Sequence, residues 1–432
     1  MLIKEKKLLN SNIFFVFIAS MIEMVSSLIL IALLTRSFEP KVVGTYFLAI
    51  AAGGICQAVV NFGLYPVAVR ELSTSTSEKT SVLITFLYVQ LIMICVLLLP
   101  FLGVIQFLSS YDPYLSRCVL FSVFFQAAVV PFAIIGSAVF QAAGKIYWEA
   151  IATFLSQGVI ILGVAAGLYF YKIDLIIVFK IICVGSVVKL MFSFFIIHIK
   201  LIKLKLFQSS WCLMKGYFLQ CWPIALHDLV RQGHTRIGII MLEVFSTREQ
   251  VALFAAPFRL LIKTRIIAIS FVRPILPVFS RMFMENDMEK LFRFYKKSFF
   301  LLFLVGTILA CILSFGSKFF VVLFLGPEFK DAWVCFFIFS WFVPITFVYF
   351  LTINLLYAGG AGKQVLTASA VSFVFNCVSA YFLVLKYQAK GGALAFLMSV
   401  ILLFVMVLIP VKNIAANRSL KDDGKKSDEK QA

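Results

Sequence analysis

Apolar runs of about twenty residues, separated by short polar breaks, fill almost the whole chain and predict twelve membrane-length helices. They lie near 12–35, 42–66, 81–107, 116–139, 148–171, 174–198, 217–242, 250–279, 297–316, 332–357, 364–386 and 391–412. The runs are continuous rather than alternating in ten-residue pieces, which selects helices over the strands of a barrel. Bilayer hydrocarbon offers no partner to a bare N–H or C=O, so each run must close its own hydrogen bonds. The expected fold is an all-α polytopic membrane protein. The first run follows Lys4, Lys6 and Lys7, but no small-residue cleavage site follows and it continues to Leu34, so it reads as a retained helix.

Composition agrees: 62% of residues are hydrophobic, 14% are charged and the mean hydropathy is +1.02, against roughly 25% charged in soluble domains. The net charge of +19 would suggest a nucleic-acid partner if it were spread evenly. Instead it follows alternate loops. One set of loops holds 22 Lys and Arg residues and the other holds 9. Basic residues are held on the cytoplasmic side, so both termini are expected there, and the excess of positive charge gives nucleic-acid binding no support. The nine cysteines lie mostly inside apolar runs, without CxxC pairs or histidines at metal spacing, and read as small core residues.

A weak internal repeat divides the chain. Phe140 to Lys145 (FQAAGK) and Ala358 to Lys363 (AGGAGK) each precede an apolar run, and Lys172 and Lys390 follow at the same offset. Val43 to Tyr46 similarly matches Val251 to Phe254. These pairs predict two six-helix lobes in parallel repeat, over 1–198 and 217–412. A basic cytoplasmic connector at 199–216 and a polar cytoplasmic tail at 413–432 complete the chain. Transporters use such repeats to build a central site between halves.

The same segments carry a family resemblance. Leu34 to Ala49 (LTRSFEPKVVGTYFLA) and Asn61 to Leu72 (NFGLYPVAVREL) resemble the first two helices of the polysaccharide transporter family, which contains the Wzx-type O-antigen flippases. That family belongs to the multidrug/oligosaccharidyl-lipid/polysaccharide exporter superfamily. Glu243 to Leu260 is similar to its seventh-to-eighth helix turn, and Tyr357 to Val400 to its last two helices. The chain departs from the common pattern at Phe38-Glu39-Pro40-Lys41, where Leu-Gly-Pro-Glu is more usual, and at Ala252, where Gly is usual. The resemblance implies two bundles around a lumen that opens alternately to each face of a bacterial inner membrane. It implies a cargo of undecaprenyl-pyrophosphate-linked oligosaccharide for lipopolysaccharide O-antigen or a similar surface polysaccharide. H+ or Na+ is the implied coupling ion, and other surface-polysaccharide assembly proteins are implied partners.

Charges inside the spans fit an anionic cargo, because a charge at bilayer depth is costly and normally faces a cavity or a partner. Arg259, Lys263, Ser270 and Arg273 fall on one stripe of the eighth span, which on a continuous helix would run roughly 21 Å. Arg265 lies off that stripe. The seventh span packs His227, Asp228, Arg231, Gln232, His234, Thr235 and Arg236 into one half of a helix, with Asp228 able to reach Arg231 or Gln232. Snorkelling or pairing with carboxylates is the bland reading of such arginines, and an amphipathic cytoplasmic helix is the bland reading of the seventh span. Glu23, in the first span, is expected to serve as a counter-ion or to bind a coupling cation. Lys189, in the sixth, is expected to add to the lumen charge. The substrate-binding set is therefore Arg259, Lys263, Arg273, Arg231, Arg236 and Lys189. The coupling or polar set is Glu23, His227, Asp228 and His234. Gln57, Asn61, Gln126, Gln157 and Asn376 are scattered polar positions that could shape glycan specificity.

No catalytic constellation is found, no GxxxxGK[ST] loop is present, and neither a cofactor nor a metal is expected. Two other readings compete with a flippase. A glycan polymerase or ligase would favour a larger extracytoplasmic loop than the roughly 5–16 residues available here. A cation or drug exporter would favour acidic rather than basic residues in the spans.

Overall fold

The computed structural model describes residues 2–74, 79–201, 211–272, 275–285 and 287–428, and every regular element among them is a helix. Two compact units result. The first comprises 1–256 with 324–329, and the second comprises 257–323 with 330–432.

The first unit begins with α1 (Leu2–Ser37), α2 (Pro40–Asn61), α3 (Leu64–Thr74), α4 (Lys79–Tyr111), α5 (Pro113–Val123) and α6 (Val130–Ala142). It continues with α7 (Tyr147–Ala166), α8 (Leu175–Lys200), α9 (Trp211–Phe245) and the first part of α10 (Arg248–Ile262). Boundaries follow from local chemistry. Asp112 caps α5, its Oδ1 accepting the Tyr114 and Leu115 amides at 3.0 Å each, with Pro113 at the first helical position. Asp174 caps α8 in the same way through the Ile177 amide at 3.0 Å. Between α5 and α6 the chain widens into a π-helical turn, Phe124–Val129, just ahead of Pro131, which supplies no amide to the ladder.

Helix α2 lies at the centre of this unit, packed against α5 and α9. Gly53 and Gly54 are what allow that closeness. A Cβ at Gly53 would overlap the Gln126 amide, and one at Gly54 would overlap the Arg236 guanidinium. Ser122 Oγ donates to Ala49 O at 2.7 Å and Gln126 Nε2 to Ile50 O at 3.3 Å, so polar side chains reach the bared α2 backbone inside an apolar bundle. The span that opens with α2 is not one straight helix. It breaks after Asn61, where Phe62 (φ 43°) and Gly63 (φ 66°) both adopt the left-handed conformation before α3 resumes.

The second unit takes the rest of α10, then α11 (Arg265–Val272), α12 (Ile275–Met284), α13 (Met288–Phe315), most of α14 (Ser317–Leu325), α15 (Trp333–Ser340), α16 (Phe342–Ala358) and α17 (Gly362–Asp428). Its buried centre is aromatic: Phe258 lies 5.2 Å from Phe339 and 4.9 Å from Phe396, ring centroid to ring centroid. Pro344 packs so closely on Gly306 that any side chain there would overlap it, drawing α13 and α16 together. Helix α17 is a hairpin rather than one long rod, because its backbone leaves helical geometry at Gln388. Ser372 Oγ then donates to Ser399 O at 2.6 Å, although a straight helix would hold those residues about 40 Å apart.

Nine stretches among the described residues are long and apolar enough to cross a bilayer. One of them, Gly362–Val411, is that hairpin and crosses twice. The twelve expected spans also include the polar segments α9 and α10–α11, which are not among these nine stretches.

One helix-ending turn occurs in both units. Gly144 (φ 66°) and Gly360 (φ 74°) end α6 and α16 with the same hydrogen bonds. Lys145 N donates to Phe140 O at 2.9 Å, and Ala361 N to Leu356 O at 2.8 Å. Each is followed 28 residues later by a residue of positive φ, Lys172 (φ 45°, ψ 50°) in one case and Gln388 (φ 51°, ψ −128°) in the other. The cysteines are free thiols among the described residues, with Cys118, Cys221 and Cys335 buried and Cys95 exposed.

Candidate functional site

Helix α9 carries the densest polar cluster. It remains helical through Pro223. Asp228 and Arg231 form an ion pair within one turn, the Asp228 Oδ1 accepting from Nη2 at 3.1 Å and from Nε at 3.3 Å. The arginine side chain is exposed. His227 is half-buried and His234 is buried.

Arg236 does something else. Its Nη1 donates to Ile50 O at 2.8 Å and to Ala51 O at 3.2 Å, while its Nε donates to Gln232 Oε1 at 3.2 Å. The guanidinium is inserted at the Gly54 gap and fastens α9 to α2. These bonds give Arg236 a packing role.

The stripe expected on the eighth span is interrupted. Helix α10 ends at Ile262, Lys263 falls in the break, and α11 starts at Arg265. Thr264 makes the break by taking the Leu261 carbonyl twice, with its own amide at 3.0 Å and with Oγ1 at 2.7 Å. Arg259 and Lys263 are both half-buried. The guanidinium of Arg265 stands 5.2 Å over the Phe342 ring. Arg273 lies outside the described residues; among those described, Arg259 and Lys263 lie at a helix break.

Lys189 is half-buried on α8. Glu23 is exposed on α1, and no ion pair within 4.0 Å engages it among the described residues. The groove of about 410 Å³ along α8, lined by residues such as Cys183, Val187, Met191 and Phe192, has no polar lining and is unsuited to a charged group.

Two features escaped the sequence reading. Gln90 is an amide inside an apolar run of α4, and it lines a small cavity with Asn61 and Asp228; its place in that run was the available signal. Arg248 pairs with Asp112 at 2.6 Å and with Glu243 at 3.1 Å, a junction that residues so far apart in sequence do not announce.

The chain is a polytopic helical protein with broken, charged spans, and its fold has counterparts among solved structures. The chain superimposes on a structure described as the inward-facing conformation of a multidrug resistance MATE family transporter of the MOP superfamily, with TM-score 0.72, 15% identity, and coverage of 93% of this chain and 96% of that one. It superimposes on lipid II flippase MurJ in an inward closed conformation, with TM-score 0.70, 15% identity, and coverage of 92% and 87%. A third likeness is to a MOP superfamily transporter from Pyrococcus furiosus whose binding pocket is described as having reverse polarity, with TM-score 0.64, 15% identity, and coverage of 94% of each chain. No sequence match to a curated protein accompanies these likenesses. Residues 9–283 match the family described as polysaccharide biosynthesis protein. The chain belongs to that family.

Proposed function

We propose that this protein is a flippase that moves an undecaprenyl-pyrophosphate-linked oligosaccharide, an O-antigen or similar surface-polysaccharide unit, across the bacterial plasma membrane by alternating access. Family membership and the transporter fold supply the class. The observation that carries the cargo assignment is the half-buried pair Arg259 and Lys263 at the α10–α11 break. Two cations brought together at a helix interruption inside an apolar span make a locally electropositive site, and a pyrophosphate is a multivalent anion of matching charge. Arg231 and Lys189 add to the same preference, and Arg273 is retained as a member of the set. A cationic drug would meet repulsion at these residues.

In this reading both termini are cytoplasmic, the two six-helix lobes move as the alternating bodies, and no catalytic step is involved. The test is complementation of surface glycan in a flippase-deficient host at matched protein levels. Arg259→Ala and Lys263→Ala should each lose most export, about tenfold or more for a charged hydrogen bond removed from an apolar site, while Lys263→Arg keeps it. Export at wild-type level by both alanine variants would remove the anion-binding role.

A further inference from the structure

Helices α7 and α8 of the first unit pack tightly along one side. A Cβ at Gly163 would overlap Ile181, and one at Gly185 would overlap Ile160, so glycine on each helix is what lets the pair close up. The other side of α8 is uncovered. Val184, Val187 and Met191 are exposed there, and with Cys183, Val188 and Phe192 they line the groove of about 410 Å³. These residues recur at helical spacing and make a stripe roughly 14 Å long. The volume falls within the range of about 300–1,000 Å³ that small-molecule sites occupy. With no charged or hydrogen-bonding side chain in the lining beyond a thiol, the groove suits a hydrocarbon chain.

A cation stands at one end of it. Phe192, the last groove residue, lies 6.2 Å from Trp148 by ring centroids, and Lys200 Nζ stands 4.4 Å over the same indole. Side chains on a helix lean toward its N-terminus, which carries Lys200, the final residue of α8, back toward the groove. Lys200 is exposed, and although Glu149 directly follows Trp148, no carboxylate lies within 4.0 Å of the ammonium among the described residues. The indole face holds the ammonium in position without consuming its N–H donors. In the orientation proposed above this end of α8 is cytoplasmic, at headgroup depth, where tryptophan and lysine are both favoured.

We propose that this face is a binding site for one anionic glycerophospholipid, with an acyl chain in the α8 groove and the headgroup phosphate on Lys200. A soluble anion has no use for the groove, and a neutral lipid has none for the lysine. One lysine matches the single charge of a phosphodiester, whereas a pyrophosphate carries more, so the occupant is a bilayer lipid and not the cargo. The site stands whether or not the protein moves a glycan.

The experiment uses the purified full chain in a non-ionic detergent, titrated with phosphatidylglycerol carrying a fluorophore on one acyl chain, and separately with phosphatidylcholine of the same chains. Wild type should bind the glycerol lipid saturably and about fivefold tighter than the choline lipid, the expected effect of one lysine beside an anionic headgroup. That preference should shrink as salt rises, a wild-type result that keeps the test decisive if a variant fails to fold. Lys200→Gln should erase the preference and leave choline-lipid binding unchanged, while Lys200→Arg keeps it. Val187→Trp, which fills the groove from an exposed position, should lose binding of both lipids. Lys363→Gln removes an exposed lysine of another loop and should alter neither. Absence of saturable binding, equal binding of the two lipids by wild type, or a preference that survives Lys200→Gln or high salt overturns the site. A preference lost equally in Lys363→Gln also overturns it, leaving only general surface charge. Displacement by undecaprenyl pyrophosphate at lower concentration than by unlabelled phosphatidylglycerol overturns it as well, because the face would then belong to the cargo.

Discussion

Arg248 Nη1 stands 2.6 Å from Asp112 Oδ2 while its Nε stands 3.1 Å from Glu243 Oε1, so one guanidinium joins the α4–α5 turn to the α9–α10 turn. Asp112 is also the cap of α5. Burial alone would raise its carboxyl, but the Leu115 amide and the Arg248 guanidinium outweigh burial and hold it below the usual carboxylate range. Burial would likewise lower Arg248, and Asp112 and Glu243 together push it up instead. Arg248→Ala should cost about 1–3 kcal/mol in thermal unfolding, since two partly buried carboxylates lose their cation. Asp112→Asn should cost less, because asparagine still caps a helix. A depressed folded pKa means that the Asp112 contribution is fully present above the unfolded value, about 3.9, and is lost as pH falls through the folded value. The difference in Tm between wild type and Asp112→Asn should therefore be flat near neutrality and shrink below about pH 4.

Glycine substitutions on α2 should separate two kinds of close packing. A Cβ at Gly44 would overlap the backbone carbonyl of Arg248, which cannot swing away. Gly44→Ala should therefore destabilise by about 1–3 kcal/mol. At Gly54 the obstacle is the Arg236 side chain, which can leave, but only by giving up its bonds to Ile50 and Ala51. In Gly54→Ala, a further Arg236→Ala change should cost little, whereas Arg236→Ala alone in the wild type should cost clearly more. A double-mutant cycle on thermal unfolding reads this directly.

Orientation follows from the basic loops. Reporter fusions at Lys290 should read cytoplasmic, and those at Asp112 and Lys330 external. An external signal at Lys290 would contradict the twelve-span arrangement with cytoplasmic termini.

The helices were legible because their signal is local: unbroken apolar length, proline and aspartate at starts, glycine at ends. Asp112 before Pro113 and Gly144 after α6 announce their turns in the sequence itself. The breaks that shape the site were not legible. Phe62 adopts a conformation rare for a phenylalanine, and it does so where it stacks on Phe218 with ring centroids 4.6 Å apart and where Ile224 crowds Gly63, all of which depends on α9 lying alongside. The interruption at Lys263 has neither glycine nor proline at the break; Pro257 lies before it and Pro274 after it. Helical phase correctly set Asp228 against Arg231, one turn apart. It could not show that Arg236, only five residues further, enters the α2 backbone, because that depends on two glycines far away in the chain.

The central claim is tested most directly with purified protein in vesicles loaded on one leaflet with a fluorescent undecaprenyl-pyrophosphate-linked oligosaccharide, following the fraction that becomes accessible on the opposite leaflet. Vesicles containing wild type should flip this cargo well above protein-free vesicles, Arg259→Ala and Lys263→Ala should fall toward the protein-free rate, and a cationic dye should not be transported. Transport of the dye with no acceleration of the lipid-linked glycan would contradict the account and place the protein among exporters of cations.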